Sequence, residues 1–317
     1  ADNKNRDQVL IPAYTCYSVA ASVVKAGLKI AVYDLDPHTF APDEASLKAA
    51  AGGATLAIVH QHLFGIPQPA GPVHQAAGGL GIPVIEDAAQ GLGGFLNGTP
   101  MGAMADYGIF SFGRGKPLAA GCGGALTGNS ETLESIKSPA GTKGAAAMCT
   151  SMAVQVLSHP LLYGIMERLP LGLGRTIFDP GFAVGGMPQA VKRLAKSLLA
   201  DLGPSIARRR SIADVYRSCL PDSRTVPEPQ GAQPAYPRFP FLAGPGEISD
   251  RLFRRGVRRM YPRALIDEPE ITRYFAGPGI EAPGARQIAR ELVTLPTHSR
   301  ITRQTARRIS ELLMEEC

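Results

Sequence analysis

Over the first 130 residues, short apolar runs alternate with segments whose apolar residues recur every three or four positions. That alternation predicts parallel strands separated by covering helices, an α/β architecture. Strands are expected at 9–13, 29–34, 56–60, 83–87, 109–112 and 124–127. Helices fall between them. The segment 18–26 closes on Gly27, 43–51 opens on the acidic cap Asp43 and closes on Gly52-Gly53, and 72–79 carries Pro72 in its first turn. Within 95–106, Asn97-Gly98 signals a hairpin, expected as a short ribbon leading back into the sheet.

Farther along the pattern weakens, and 138–188 reads as loop-rich. Helical periodicity returns at 188–202 and 205–220, ahead of a proline-rich segment at 221–240. The chain closes on an amphipathic helix, 302–316, whose Ile309, Leu312 and Leu313 form the apolar face. The expected division is a large domain, 1–206, and a smaller C-terminal α+β domain, 207–317.

Composition and charge change this picture in a few places. With 317 residues and 44% apolar content the chain can bury a full core, and Gly 36 and Pro 27 are spread without a period, which excludes collagen-like and disordered classes. The net charge of +6 suits anionic ligands, yet the arginine clusters 208–210, 254–255 and 258–259 lack the aromatic interleaving of a nucleic-acid surface. Five scattered cysteines, Cys16, Cys122, Cys149, Cys219 and Cys317, suggest neither a zinc site nor a disulfide framework. No secretory pattern opens the chain, so a cytoplasmic location is expected. The stretch 144–166 has no charged residue and is long enough for the ~20 residues of a membrane span, but His159-Pro160 would break such a helix; a buried or partner-covered helix pair is expected, ahead of contact with a membrane surface.

In an open α/β sheet, ligands sit beyond the carboxyl ends of the strands. Three motifs fall there: Glu86-Asp87-Ala88-Ala89-Gln90, Ser111-Phe112-Gly113-Arg114-Gly115-Lys116, and His62. A lysine can form an imine with an aldehyde cofactor, a carboxylate can keep a pyridine nitrogen protonated, and a serine hydroxyl can bind phosphate. Each residue alone has a blander use. An aspartate at a strand end is most often a turn cap, and a lysine in a glycine-rich loop is usually solvated.

Their order carries more. The runs VLIPAYT, YDLDPHTF, HLFGIP, PVIEDAAQGLGG, DYGIFSFGRGK and GCGGALTG resemble the DegT/DnrJ/EryC1/StrS sugar aminotransferases of fold type I, densely over 8–137 and more thinly at Tyr261-Pro262 and 295–298. The resemblance implies a mostly parallel, seven-stranded-type sheet between helices, with pyridoxal 5′-phosphate as cofactor. It puts Lys116 at the imine-forming lysine that also moves the proton, Asp87 at the partner of the pyridine nitrogen, Gln90 against the ring and its 3-hydroxyl, and Ser111 at the phosphate. His62 and Tyr261 fall at positions expected to face substrate, although a histidine in that place can equally orient a loop. The activity implied moves an amino group from an amino acid, glutamate being expected, to a nucleotide-linked keto-sugar in glycan or polysaccharide biosynthesis, within a homodimer. No metal or nucleic acid is expected. A lysine at position 116 favours transamination, because a dehydratase branch resembling this family has histidine there.

Several positions depart from the family pattern. Relatives carry, ahead of VLIPAYT, a Gly-Thr helix start that holds the cofactor phosphate, and this N-terminal portion of the fold is expected to be absent here, the sequence being a piece of a longer protein. Cys16 stands where a ring-stacking aromatic is common, with Tyr17 as the expected substitute. The segment 182–187 lacks the asparagine and arginine that relatives send from a neighbouring subunit, and Ile266 occupies a histidine position. These departures motivate a second reading, a non-catalytic paralogue that keeps the fold for binding or assembly. A third, another fold-type-I enzyme such as a desulfurase, would need a reactive cysteine, for which Cys122 and Cys149 are candidates in position only. A nicotinamide dehydrogenase is disfavoured, because no G-x-G-x-x-G opens a helix after the first strand.

Overall fold

The computed structural model describes residues 5–136, 177–277 and 280–316. The uncharged stretch 144–166 and Cys149 lie outside them, and with them most of the segment expected to be loop-rich. Six strands build the main sheet: β1 (Gln8–Pro12), β2 (Lys29–Tyr33), β3 (Thr55–Gln61), β4 (Val84–Asp87), β7 (Tyr107–Ser111) and β8 (Gly124–Gly128). Their order is β2-β1-β3-β4-β7-β8, with all neighbours parallel except the β7–β8 pair. Every expected strand is present within two residues of its expected limits, in a sheet of six strands among the described residues. β1 and β3 read as near-continuous apolar runs because both faces are covered.

Local chemistry sets the helices between the strands. α1 (Tyr17–Lys25) ends ahead of Gly27, which takes a left-handed φ of 75°. α2 (Glu44–Ala50) starts where the Asp43 carboxylate accepts the Ser46 N–H at 2.7 Å, and α3 (Gly71–Leu80) has proline in its first turn and the left-handed Gly81 beyond its end. The chain leaves β1 toward β2 and returns to β3 on the other side of β1. The strand order therefore reverses at the carboxyl ends of β1 and β3, where such sheets open a crevice.

The Asn97-Gly98 hairpin forms as expected, with both residues left-handed at φ 49° and 81°. Its destination differs from the expected one. β5 (Phe95–Leu96) and β6 (Thr99–Pro100) do not rejoin the main sheet; β5 pairs instead with β9 (Ala232–Gln233) in a separate three-stranded ribbon. β10 (Arg238–Leu242) and β11 (Leu292–Pro296) form an antiparallel pair, flanked by a helix at Leu202–Cys219 and the terminal helix Arg303–Glu316. The expected domain limit at 206/207 falls inside the first of these helices.

One cluster of buried residues runs from Val9, Ile30 and Ile58 of the sheet through Ile212, Phe239 and Leu295 to Leu313. A smaller one gathers Phe110, Phe112, Leu118, Val191, Ala195 and Ile206 beneath the loop after β7. Backbone bonds cross between the sheet and the C-terminal third: Leu265 N–H donates to Ala13 O at 2.8 Å and Ile30 N–H to Tyr274 O at 2.9 Å. Among the described residues no helix is long and apolar enough to cross a membrane, and no group of three or more metal-type ligands gathers.

Candidate active site

Strand geometry sorts the two adjacent carboxylates of β4. Side chains alternate faces along a strand, so Glu86 and Asp87 point to opposite sides of the sheet. In the parallel β3–β4 register His60 pairs with Glu86 and Gln61 with Asp87; in the β4–β7 register Asp87 pairs with Ile109. Ser111, two residues beyond Ile109, therefore shares the face of Asp87.

Glu86 belongs to the interior. It is fully buried, and its carboxylate accepts His62 Nε2–H at 2.8 Å, the Gly102 N–H, and the Met104 N–H at 2.8 Å. Burial alone would raise its pKa, but the bond from His62 and the two backbone amides outweigh it and hold the carboxyl below its ordinary value. His62 Nδ1 accepts the Gln68 N–H at 3.0 Å, so both ring nitrogens have protein partners and the ring is buried. The expected substrate contact of His62 does not fit this geometry; the ring ties β3, β4 and the turn between them together.

Asp87 is half-buried, and its Oδ1 accepts the Ala89 N–H at 3.0 Å. Around it stand Gln90, Tyr261 and the start of α1. The Gln90 amide NH2 lies 3.4 Å from the Tyr261 hydroxyl, and the Tyr261 ring packs at 5.3 Å from Tyr14 and 6.5 Å from Tyr17. Burial pushes the Tyr261 hydroxyl well above its ordinary pKa, with Cys16, Tyr14 and Asp87 adding to the shift, so it stays protonated and bonded to Cys16. Gln61 closes the crevice floor by donating to Tyr14 O at 2.8 Å.

The sequence therefore brings Asp87, Gln90 and Tyr261 into one cluster, with a different division of labour from the expected one. Tyr261 is buried, with Tyr14, Cys16 and Gln90 as its neighbours. Tyr17, expected as the ring-stacking substitute, is also buried, its hydroxyl 2.7 Å from Glu268 Oε1 and 3.2 Å from Arg263 O; Cys16 is the half-buried side chain at this edge. Glu86 and Gln61 were not singled out by sequence reasoning. Period-two alternation beside Asp87 was the signal that could have assigned Glu86 to the interior.

The opposite wall is more open. Ser111 Oγ accepts the Gly113 N–H at 3.3 Å, and Lys116 lies on the turn between the buried Phe112 and Leu118, itself half-buried. Its amine makes no ion pair or side-chain hydrogen bond among the described residues. Ile109 and its β8 partner Leu126 are 43% and 39% exposed on the Asp87 face. A carboxylate, an amide with free N–H, a serine beside a glycine-rich turn and an unpaired lysine form a donor set that fits an aldehyde cofactor bearing a pyridine nitrogen and a phosphate.

An open, mostly parallel sheet with polar groups at its carboxyl edge is an α/β fold that binds its ligand at that edge. The model of the DegT/DnrJ/EryC1/StrS aminotransferase family matches residues 1–165, and the chain belongs to that family. It is similar to the UDP-N-acetyl-3-dehydro-alpha-D-glucosamine 3-aminotransferase of Acidithiobacillus ferrooxidans, 36% identical over 129 residues, which are 40% of this chain and 35% of that protein. The chain thus spans about a third of the length of the curated relatives it matches. Among solved structures it resembles a DegT DnrJ EryC1 StrS aminotransferase from Brucella abortus, with TM-score 0.71 and 23% identity over 98% of this chain and 79% of the other. It equally resembles the E. coli GDP-4-keto-6-deoxy-D-mannose-3-dehydratase with bound hydrated PLP, with TM-score 0.71 and 19% identity over 98% and 80%. The same fold therefore holds both an aminotransferase and a dehydratase, and separating the two for this chain falls to its own residues.

Proposed function

We propose that the chain is the body of a pyridoxal-5′-phosphate-dependent aminotransferase that moves an amino group from an amino acid, glutamate being our reading, to a nucleotide-linked keto-sugar. The observation that carries the reading is the placement of Asp87 and Ser111 on one face of adjacent strands, with Lys116, which has no ion pair among the described residues, on the turn that follows. When bound, the cofactor supplies an electron sink for the carbon that gives up or receives the amino group. Asp87 would keep its ring nitrogen protonated, Ser111 would hold its phosphate, and Gln90 would donate to its ring oxygen. Lys116, with no acidic partner among the described residues, can act as nucleophile and then as the group that takes up and returns the substrate proton. The net charge of +6 suits a nucleotide-phosphate ligand. A homodimer in the cytoplasm, acting in glycan or polysaccharide assembly, completes the proposal.

The test is spectroscopic first and kinetic second. Wild-type protein with the cofactor should show the visible band of a lysine-bound aldehyde, and Lys116→Ala should lose it and lower amino transfer to a keto-sugar nucleotide by about 10³-fold or more. A protein that stays colourless with the cofactor would instead support the reading of a paralogue that keeps the fold alone. Loss of water from the sugar without nitrogen transfer would assign it to dehydration.

A further inference from the structure

Gln90 stands where two buried hydrogen-bond systems meet, and the turn beside it is strained. Phe64 is fully buried and left-handed, φ 56° and ψ 20°, a conformation that a bulky aromatic residue rarely adopts. Gly65 follows at φ 67°, and a Cβ there would lie 2.5 Å from Gln90 O and 2.9 Å from the Ala235 Cβ. The turn is pinned at its start. His62 N–H donates to Asp87 O at 3.2 Å, Gly65 N–H donates to His62 O at 3.1 Å, and the His62 ring is clamped between Glu86 and Gln68.

The strained residue directs one bond. Phe64 N–H donates to Gln90 Oε1 at 3.0 Å. A backbone N–H can only donate, so the amide orientation is fixed: its oxygen is taken, and its NH2 faces the Tyr261 hydroxyl and the crevice. We propose that Phe64, His62 and Glu86 are positioning residues, a buried brace that locks the Gln90 side chain as a hydrogen-bond donor and so selects a ligand bearing an anionic oxygen at that place. Given the cofactor reading, on which this inference rests, that oxygen is the ring oxygen of pyridoxal phosphate. A donor there withdraws charge from the oxygen and lowers the proton affinity of the neighbouring nitrogen.

The experiment is a pH titration of the visible band on the full chain with pyridoxal phosphate, arranged as a double-mutant cycle. Gln90→Met should raise the midpoint by about one pH unit, and Glu86→Gln should move it in the same direction. In the Gln90→Met background the Glu86→Gln shift should vanish, because the brace acts through Gln90. Additive shifts, an unmoved midpoint in Gln90→Met, or an unmoved one in Glu86→Gln would overturn the positioning role. His62→Asn replaces Glu86→Gln in the cycle if that variant does not fold. A cofactor-independent arm measures amide exchange in protein stripped of ligand. Gln90→Met should speed exchange of the Phe64 N–H by at least about tenfold, and unchanged exchange would overturn the brace. A wild-type protein that never colours fails the cofactor reading, whereas a coloured protein with additive shifts fails the brace alone.

Discussion

The two sides of the crevice around Asp87 are built to opposite standards. On the β3–β4 side, the polar atoms of His62 and Glu86 are matched by protein partners, the Gln90 oxygen takes the Phe64 N–H, and all three residues are buried. On the β7–β8 side, Ile109 and Leu126 are exposed, Ser111 has one bond at 3.3 Å, and the Lys116 amine has no partner among the described residues. The first set of groups is fixed before any ligand arrives, and the second is not. Buried polar networks are rigid when fully satisfied and costly when broken. A lysine at a half-open turn, with no partner among the described residues, is available to react, and its removal costs the fold little.

The largest expected contrast follows directly. His62→Ala leaves the Glu86 carboxylate buried with only two backbone donors, and should lower the unfolding free energy by about 3–5 kcal/mol. Lys116→Ala, which ends chemistry in our reading, should change stability by no more than about 0.5 kcal/mol. Urea unfolding of both variants reads the pair, and equal effects would erase the distinction between the walls.

A smaller effect comes from His60, on the same built wall. Its Nε2–H donates to Gln68 O at 3.0 Å, its ring stands edge-on to His62 at 4.9 Å, and its Nδ1 is buried without a partner among the described residues. Burial, then the neighbouring His62, pushes its pKa down to about 3, against the weaker pull of the Gln68 carbonyl. The unfolded chain protonates this group first, near its ordinary value of about 6.5. The stability it contributes is therefore complete above that value and is lost as pH falls from about 6.5 toward 3. Between pH 7 and pH 5 the wild type should lose about 2 kcal/mol that His60→Gln does not lose, measured as the difference in urea midpoints at the two pH values. Parallel pH dependence in the two proteins would show that His60 takes up its proton in the folded state as readily as in the unfolded one.

What was legible in the sequence follows the range of the interactions. All six main strands could be read because period and turn chemistry are local, and Asp87 and Ser111 could be placed at strand ends for the same reason. The Asn97-Gly98 turn announced its hairpin, but its pairing with Ala232–Gln233 depends on a segment 130-odd positions away. Burial was the harder quantity. His62, Tyr17 and Tyr261 were expected to face ligand because the resemblance supplies positions, whereas their enclosure by Glu86, Glu268, Tyr14 and Cys16 is decided by contacts remote in sequence. The strain at Phe64 had no local signal, since nothing in Leu63-Phe64-Gly65 except the glycine announces a left-handed turn.

The smallest predicted effect asks how far the built wall extends. Asp34, just beyond β2, is buried, and its two carboxylate oxygens accept Gly284 N–H at 2.8 Å and Ala285 N–H at 2.7 Å, at the start of the helix Pro283–Glu291. The approach is close enough that a Cβ at Gly284 would lie 1.8 Å from Leu35 O. A carboxylate at a helix N-terminus satisfies orphan amides and opposes the helix dipole, so Asp34→Ala should cost about 1–2 kcal/mol. Because the larger core cluster is shared by the sheet and the C-terminal third, that loss should appear as one cooperative transition at lower urea concentration. Two transitions would instead mean that residues 207–317 unfold as a separate domain and that Asp34 is a latch between domains. Either way the midpoint of the visible band should stay where it is, since Asp34 lies just beyond the end of β2, at the sheet edge farthest from β7 and β8; a shifted midpoint would join this edge to the site and break the contrast between the walls.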